Sequence, residues 1–268
     1  MSKEMYVPVG GIAQKVTKMY VPVNGVAHRV KKAYKGVNGV ARQVFEARKK
    51  ISELAVGDSV FLNVSGTPTE FLVVNRGIPS GSDLYDSSCD GIWLLMKDLI
   101  TTTLTWDTTN GDYQNSDVHY YLNNTFLGLL DADVQSVIKQ IKLPYHKGTG
   151  SNGSVASGAN GLSTKVFLLS GFEVGFTKTD SAYFPVDGAK LEYFDYRTSR
   201  RIAKYDGKDS AWWLRSANLN GSAACYYVIK TGSFSTLNVT SVNAGVGIRP
   251  AFVLPHNTYL EDGNRLIN

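Results

Sequence analysis

Ala211-Trp212-Trp213-Leu214-Arg215-Ser216 and, about thirty residues on, Gly245-Val246-Gly247-Ile248-Arg249-Pro250-Ala251-Phe252 are the stretches on which the reading of this 268-residue chain turns. Between them, residues 216–245 hold one charged side chain, Lys230, and 17 of the 30 positions are Ser, Thr, Asn, Tyr or Gly. Tyrosine supplies broad, rigid, amphipathic contact area, while Ser, Asn and Gly supply adaptable hydrogen bonding. That is the chemistry of a binding surface. It is equally the composition of a hairpin-rich polar surface without a ligand, and these residues alone leave both readings open.

Working back toward the N-terminus, Gly57–Leu62 and Glu70–Val74 read as paired strands around a Gly-Thr-Pro turn, and Ile92–Met96 as a buried strand. Two helices are predicted next. One is capped by Ser116 or Asp117 and carries Val118, Tyr121 and Leu122; the other starts near Asp131 and spaces Val134, Val137, Ile138 and Ile141. Residues 147–161 are rich in Gly, Ser and Asn and read as a surface loop, followed by a strand at Val166–Leu169 and by strands and turns from Trp212 onward. Short strands around two central helices predict an α+β body over residues 48–268.

The N-terminal segment is a repeat. Tyr6-Val7-Pro8-Val9-Gly10-Gly11-Ile12-Ala13, Tyr20-Val21-Pro22-Val23-Asn24-Gly25-Val26-Ala27 and Tyr34-Lys35-Gly36-Val37-Asn38-Gly39-Val40-Ala41 begin three units of 14 residues, each with a later valine at the same offset (Val16, Val30, Val44). Asn-Gly or Gly-Gly between valines is the sequence of a two-residue hairpin turn, so each unit predicts a β-hairpin and residues 1–47 an arm of three. A lone two-stranded hairpin is barely stable in water, so the arm must lean on its own copies, the body, sister subunits or another protein. A helical stretch over Glu46–Leu54 is predicted to join arm to body.

Charge divides the chain in the same place. Residues 1–50 carry 11 Lys and Arg against Glu4 and Glu46, a balance of +9, whereas the remaining 218 carry 17 basic and 21 acidic side chains, a balance of −4. A basic arm on a mildly acidic body admits nonspecific contact with acidic surfaces or nucleic acid, but an ordered hairpin repeat is more than such a tail requires. The 43% hydrophobic and 19% charged content is that of a folded protein, no apolar run approaches a membrane span, and the first residues do not read as a secretory signal.

Catalytic motifs are missing. Gly148–Gly153 fits the spacing of a dinucleotide loop, but Pro144 precedes it and more Gly, Ser and Asn follow, where a strand and a helix are needed. His28, His119, His146 and His256 have no metal-ligand spacing, and helix capping accounts for Asp131 and Asp133. The expectation is no catalytic residue, no metal and no cofactor.

The Trp-Trp-Leu-Arg-Ser stretch followed by Gly-Ile-Arg-Pro-Ala-Phe resembles bacterial and phage domains of unknown function that end in WWLRS and GVRPAL. The likeness extends to Val-Gly-Asp at 56–58, Tyr-Leu-Asn at 121–123, Val166–Ser170 and Tyr193-Phe194. That family is similar to the C-type-lectin fold of formylglycine-generating enzymes and of the variable proteins of diversity-generating retroelements. The Val-Asn-Gly-Val-Ala-Arg repeat resembles the start of Firmicutes phage and prophage tail proteins. The resemblance implies a C-type-lectin-like domain in which Trp212, Trp213, Arg215, Gly247 and Arg249 form the fixed scaffold. The tryptophans would fill the core and the arginines bond loop carbonyls. Residues 217–244 would be displayed, with Asn218, Asn220, Ser222, Tyr226, Ser235, Asn238, Thr240 and Asn243 contacting ligand and Tyr227 turning inward.

The resulting expectation is a non-enzymatic receptor-binding protein of a phage or prophage tail, possessing the layout of a retroelement variable protein. Its partners would be a bacterial cell-surface protein or glycan and, through residues 1–47, tail proteins or sister subunits, a trimer among the readings. Neither specific nucleic-acid binding nor membrane insertion is expected. The location would be the virion, or the cytoplasm before assembly. The alternatives are a structural or adhesive module with a fixed surface and an oxidase related to formylglycine-generating enzymes. The paired active-site cysteines of the latter are not recognisable in Cys89 and Cys225, nor are the sugar-binding motifs of calcium-dependent lectins present.

Overall fold

The computed structural model describes residues 5–9, 12–16, 19–30, 32–46, 49–80, 83–100, 104–108, 112–147, 153–195, 197–220, 223–241, 245–261 and 265–267. Strands account for 42% of the described residues and helix for 15%, so the protein is predominantly β. This corrects the expectation of an α+β, C-type-lectin-like body.

The helices are where the sequence misleads. The first is built from Asp117–Tyr120, a π-type stretch Tyr121–Phe126 and a last turn Leu127–Leu129, with the Ser116 hydroxyl accepting from His119 N. The second is only Ala132–Val137. Ile138 turns extended, and Ile141–Leu143 forms a strand paired with Leu162–Thr164. The apolar spacing at Val134, Val137 and Ile138 is helical, but Ile141 belongs to the next, β, element. The helix expected over Glu46–Leu54 is likewise replaced by strand Val40–Glu46, strand Lys49–Lys50 and a 3-10 turn Ile51–Glu53.

An eight-stranded sheet organises the body. Its order is Val166–Phe167, Ala251–Leu254, Ile92–Met96, Thr67–Arg76, Ser59–Val64, Arg265–Ile267, Tyr259–Glu261 and Lys49–Lys50. Its central strands are apolar at consecutive positions because both faces are covered. Phe71, Val73, Ile92, Leu94, Phe252 and Leu254 join one buried cluster. Leu72, Val74, Trp93, Leu95, Ala251 and Val253 join a second. The turn joining Ser59–Val64 to Thr67–Arg76 is at Ser65-Gly66, both with positive φ, one step before the predicted Gly-Thr-Pro.

A second sheet carries the signature segment in the order Ala203–Tyr205, Lys208–Ala217, Ala224–Val228, Phe234–Asn238, with Val246–Gly247 running parallel to Lys208–Ala217.

The arm forms three separate two-stranded ribbons: Tyr6–Val9 with Ile12–Lys15, Tyr20–Val23 with Val26–Arg29, and Lys32–Val37 with Val40–Glu46. Asn24-Gly25 and Asn38-Gly39 have φ of 51°, 78°, 52° and 78°, the left-handed pair that a two-residue hairpin turn requires. The turn at Gly10-Gly11 lies outside the described residues. Tyr6, Tyr20, Tyr34 and the tip aliphatics Val9, Ile12, Val23, Val26 and Val40 are exposed, whereas Phe45, at the end of the third ribbon, is buried.

Candidate ligand-binding surface

The two signature stretches meet in space: Ala211 pairs with Val246 and Trp212 with Gly247. The parallel contact needs close approach at Gly247, where a Cβ would sit 2.8 Å from Leu99 Cδ1. Successive residues of Lys208–Ala217 point to opposite faces. Trp213 therefore enters the first core cluster and Trp212 the second, both fully buried. Their indole N–H groups donate to Leu104 O (3.3 Å) and Arg201 O (2.9 Å). Arg249 lies over the Trp212 ring at 5.0 Å, with Nε and Nη2 donating to Met96 O and Lys97 O. Its Nη1 has no hydrogen-bond partner among the described residues, and burial pulls its pKa down to about 10.

Arg215 uses all five of its N–H groups in the interior. Nε donates to Pro144 O, Nη1 to Leu168 O and Glu173 Oε2, and Nη2 to Glu173 Oε1 and Asp187 O. Glu173 also accepts from Tyr85 OH and Ser170 N. The neighbouring Ser216 hydroxyl faces both oxygens of Asp187, at 3.1 and 2.8 Å, and receives Gly171 N. One buried cation thereby fastens the segments around 144, 168–173 and 187 to the strand leading into the displayed region.

Both faces of this sheet are covered near the tryptophans, so display falls to its loops and outer strand. Asn220, Asn238 and Thr240 are exposed; Asn218 and Ser235 are half-buried; Ser222 and Asn243 lie outside the described residues. Asn218 Oδ1 accepts from Asn220 N, and Asn238 Oδ1 from Thr240 N and Oγ1, so these asparagines also set the shape of their own loops.

Tyr226 is a correction. Expected at the surface, it is 1% exposed, stacked on Phe184 at 3.7 Å between centroids, with its hydroxyl 2.8 Å from Ser181 Oγ. Tyr227, expected inward, is half-buried and edge-on to Trp213. Register explains the inversion. Trp212 pairs with Val228 and Trp213 with Tyr227, so Tyr226 and Val228 share the Trp212 face. Phe176, Phe184, Tyr226 and Phe234 form an aromatic floor there.

The same floor brings up a segment that sequence reasoning missed. Residues 177–186 are joined to the segment following Ala217 by Leu219 N donating to Tyr183 O at 3.0 Å. They are internally tied by Asp180, which accepts from Thr177 N and Oγ1, and by Lys178 Nζ donating to Ala182 O. Tyr183 and Val186 are 47% and 46% exposed. No periodicity announces them; the one local hint is an aromatic and a valine flanking Phe184-Pro185.

Cys89 and Cys225 are free, buried and in different core clusters. Burial pushes the Cys89 thiol up to about 12 and Cys225 higher than an ordinary thiol. Among the described residues no group of three or more His, Cys, Asp or Glu is placed to hold a metal. His119 is tied to Gln114 O and Thr164 Oγ1, with its pKa lowered by burial, and His256 meets Asp90. Among the described residues no helix is long and apolar enough to cross a membrane.

Fold and surface together define a β-domain whose buried arginine-carboxylate centre supports a polar face with few charged groups. The profile of the domain of unknown function DUF6273 matches residues 90–256, more than half of the chain, and the chain belongs to that family. The matched span holds both signature stretches and the 177–186 segment, but neither the arm nor the Ser59–Val64 and Thr67–Arg76 strands. No curated protein and no solved structure matches the chain.

Proposed function

We propose that this chain is a non-enzymatic receptor-binding protein of a phage or prophage tail, with residues 1–47 as its attachment element and residues 217–244 displaying its ligand surface. The observation that carries this reading is the contrast between what lies under that face and what lies on it. Beneath it are rigid, fully buried aromatics and a saturated arginine; on it are Asn, Thr and Ser with Lys230 as the one charged group between 216 and 245. Rigid support with adaptable polar contacts is how a recognition surface is preorganised. Tyr183 and Val186 add the apolar contact area that the polar loops lack.

The partner is a bacterial cell-surface protein or glycan, and affinity is raised by copies held together on one particle. The test is binding of the fluorescently labelled full chain to intact bacteria of the producing and related strains. Saturable binding that is lost in Tyr183→Ala and Asn220→Ala but kept in Tyr205→Ala supports the reading. Absence of saturable binding on every strain overturns it.

A further inference from the structure

Each of the first two arm ribbons has one blocked edge and one open edge. In the first, Val9 pairs with Ile12, Pro8 with Ala13, Val7 with Gln14 and Tyr6 with Lys15, and Val16 N then donates to Met5 O at 2.7 Å. Hydrogen-bonded and non-hydrogen-bonded pairs alternate along an antiparallel ladder. The Met5–Val16 bond therefore fixes the phase: Val7/Gln14 and Val9/Ile12 bond across the ribbon, while the main-chain groups of Pro8 and Ala13 point away from it. The second ribbon repeats this, with Val30 N donating to Met19 O and Pro22 opposite Ala27.

Proline has no N–H, so the outer edge of each first strand lacks its central donor. The second strands, Ile12–Lys15 and Val26–Arg29, turn the N–H and C=O of Ala13 and Ala27 outward, and each ribbon is a sheet of two strands with no further described strand beside it. Such an edge is a template for one added strand, and the proline stops growth on the other side.

Register and charge define what that strand must carry. Ala13 and Lys15 lie on one face of the ribbon, Ile12 and Gln14 on the other, and the second ribbon places Ala27 with Arg29 and Val26 with His28 in the same way. A strand lying alongside thus meets a basic position on one face and an aliphatic one on the other. The arm, with eight basic against two acidic side chains over residues 1–47, a balance of +6, is set against a sister arm of equal charge, and the third ribbon already pairs Lys35 with Arg42. Nucleic acid would answer the charge but leave the exposed tips unused: Val9 and Ile12 are 51% and 69% exposed, Val23 and Val26 49% and 60%.

We propose that the outer edges of Ile12–Lys15 and Val26–Arg29 take up, by strand addition, a β-strand of a partner protein in which acidic and aliphatic side chains alternate. The proposal rests on the arm being an attachment element and specifies what it attaches to. Main-chain bonds to Ala13 and Ala27 supply affinity, and the alternating acids supply selectivity.

The test titrates the full chain at low salt with a capped peptide alternating Glu and Val, and with its Lys/Val counterpart. The Glu/Val peptide is expected to bind and to weaken as salt rises, and the Lys/Val peptide to show no binding. Ala13→Pro with Ala27→Pro should weaken the Glu/Val peptide at least tenfold. Pro8 and Pro22 already occupy the facing positions, so the ribbons tolerate the change, and amide NMR of the arm verifies that they persist. Lys15→Glu with Arg29→Glu should reverse the preference to the Lys/Val peptide. Equal binding of the two peptides, or binding indifferent to the prolines while the ribbons persist, overturns the proposal. Arm-dependent self-association of the chain alone would assign the edge to a sister copy, and binding of duplex DNA in place of the peptide would assign it to nucleic acid. Co-sedimentation with particles from producing cells separates the two levels. Loss on deleting residues 1–30 but not in the proline variant retires the edge and keeps the attachment reading, and no loss on deletion retires that reading as well.

Discussion

Arg215 and Glu173 form a two-pronged ion pair, Nη1 to Oε2 at 2.5 Å and Nη2 to Oε1 at 2.7 Å, with neither side chain exposed to water. Removing one partner of such a pair leaves an uncompensated buried charge, which costs about 3–5 kcal/mol. Arg215→Met should destabilise the protein by that amount in urea denaturation. Adding Glu173→Gln should recover part of the loss, because the stranded carboxylate is gone. Arg249→Met makes the contrast. Arg249 donates to two carbonyls but has no carboxylate in an ion pair among the described residues, and its burial already disfavours its charge. Its replacement should cost less than that of Arg215, and an equal cost would place the two arginines in the same role.

Asp187 brings pH into the same centre. Burial raises its carboxyl from 3.8 to about 6, against the lowering effect of Arg215 and of the Ser216 hydrogen bond. A raised carboxyl pKa means that the folded protein holds its proton more tightly than the unfolded chain. The stabilising contribution is complete below pH 3.8 and is lost as pH rises through about 6. A change of this size corresponds to about 3 kcal/mol, with each kcal/mol worth about 2–4 °C in melting temperature at this chain length. Asp187→Asn, which cannot ionise, should flatten the loss. Melting curves of both proteins between pH 4 and 8 should diverge between about pH 4 and 6, the natural protein falling relative to the variant, and keep a constant gap above about pH 6; curves parallel over the whole range would mean that Asp187 does not titrate in this window.

The inversion of Tyr226 and Tyr227 separates stability from binding. Tyr226→Ala removes a buried ring from the Phe176–Phe184–Phe234 floor and should cost about 3–5 kcal/mol, as large aromatic truncations do. Tyr183→Ala removes an exposed ring while its main-chain carbonyl still receives Leu219 N. It should leave the melting temperature nearly unchanged and reduce binding to bacterial cells by about tenfold or more, which is the behaviour of a tyrosine at the centre of an interface. A diversified surface would follow the same division, with substitutions at codons 183, 218, 220, 238 and 240 and none at 226.

What the sequence announced and what it hid have physical causes. Asn24-Gly25 and Asn38-Gly39 were readable because positive φ at two successive residues is a strong chemical filter, and those turns form as predicted. Ile92–Met96 was readable because five consecutive apolar residues fit only a strand covered on both faces. The helix expected through Ile141 failed because apolar spacing does not register where a chain turns extended, as it does at Ile138. Tyr226 was misplaced for a related reason: which of two adjacent tyrosines faces inward is set by pairing register with Lys208–Ala217, where Trp212 lies opposite Val228 and Trp213 opposite Tyr227. The contribution of Tyr183 depends on a contact between segments some forty residues apart, and composition carries no trace of it.

The junction between arm and body yields the last prediction. Residues 1–30 form two ribbons whose described tyrosines and aliphatic side chains are exposed or half-buried, and no described residue among them belongs to either core cluster. The third ribbon differs. Phe45 is 2% exposed, and a few residues later Lys49–Lys50 pairs with Tyr259–Glu261 at the edge of the main sheet. Deleting residues 1–30 should therefore leave the melting temperature of the body unchanged within about 2 °C, because none of the described residues it removes has a buried apolar side chain. Deleting residues 1–47 takes Phe45 as well, and losing a buried aromatic of that size should lower stability by about 3 kcal/mol or more. Paired thermal melts of the two truncations against the full chain decide the matter. Equal melting temperatures would show that Phe45 is covered only by its own ribbon and that the body is independent of everything before Lys49.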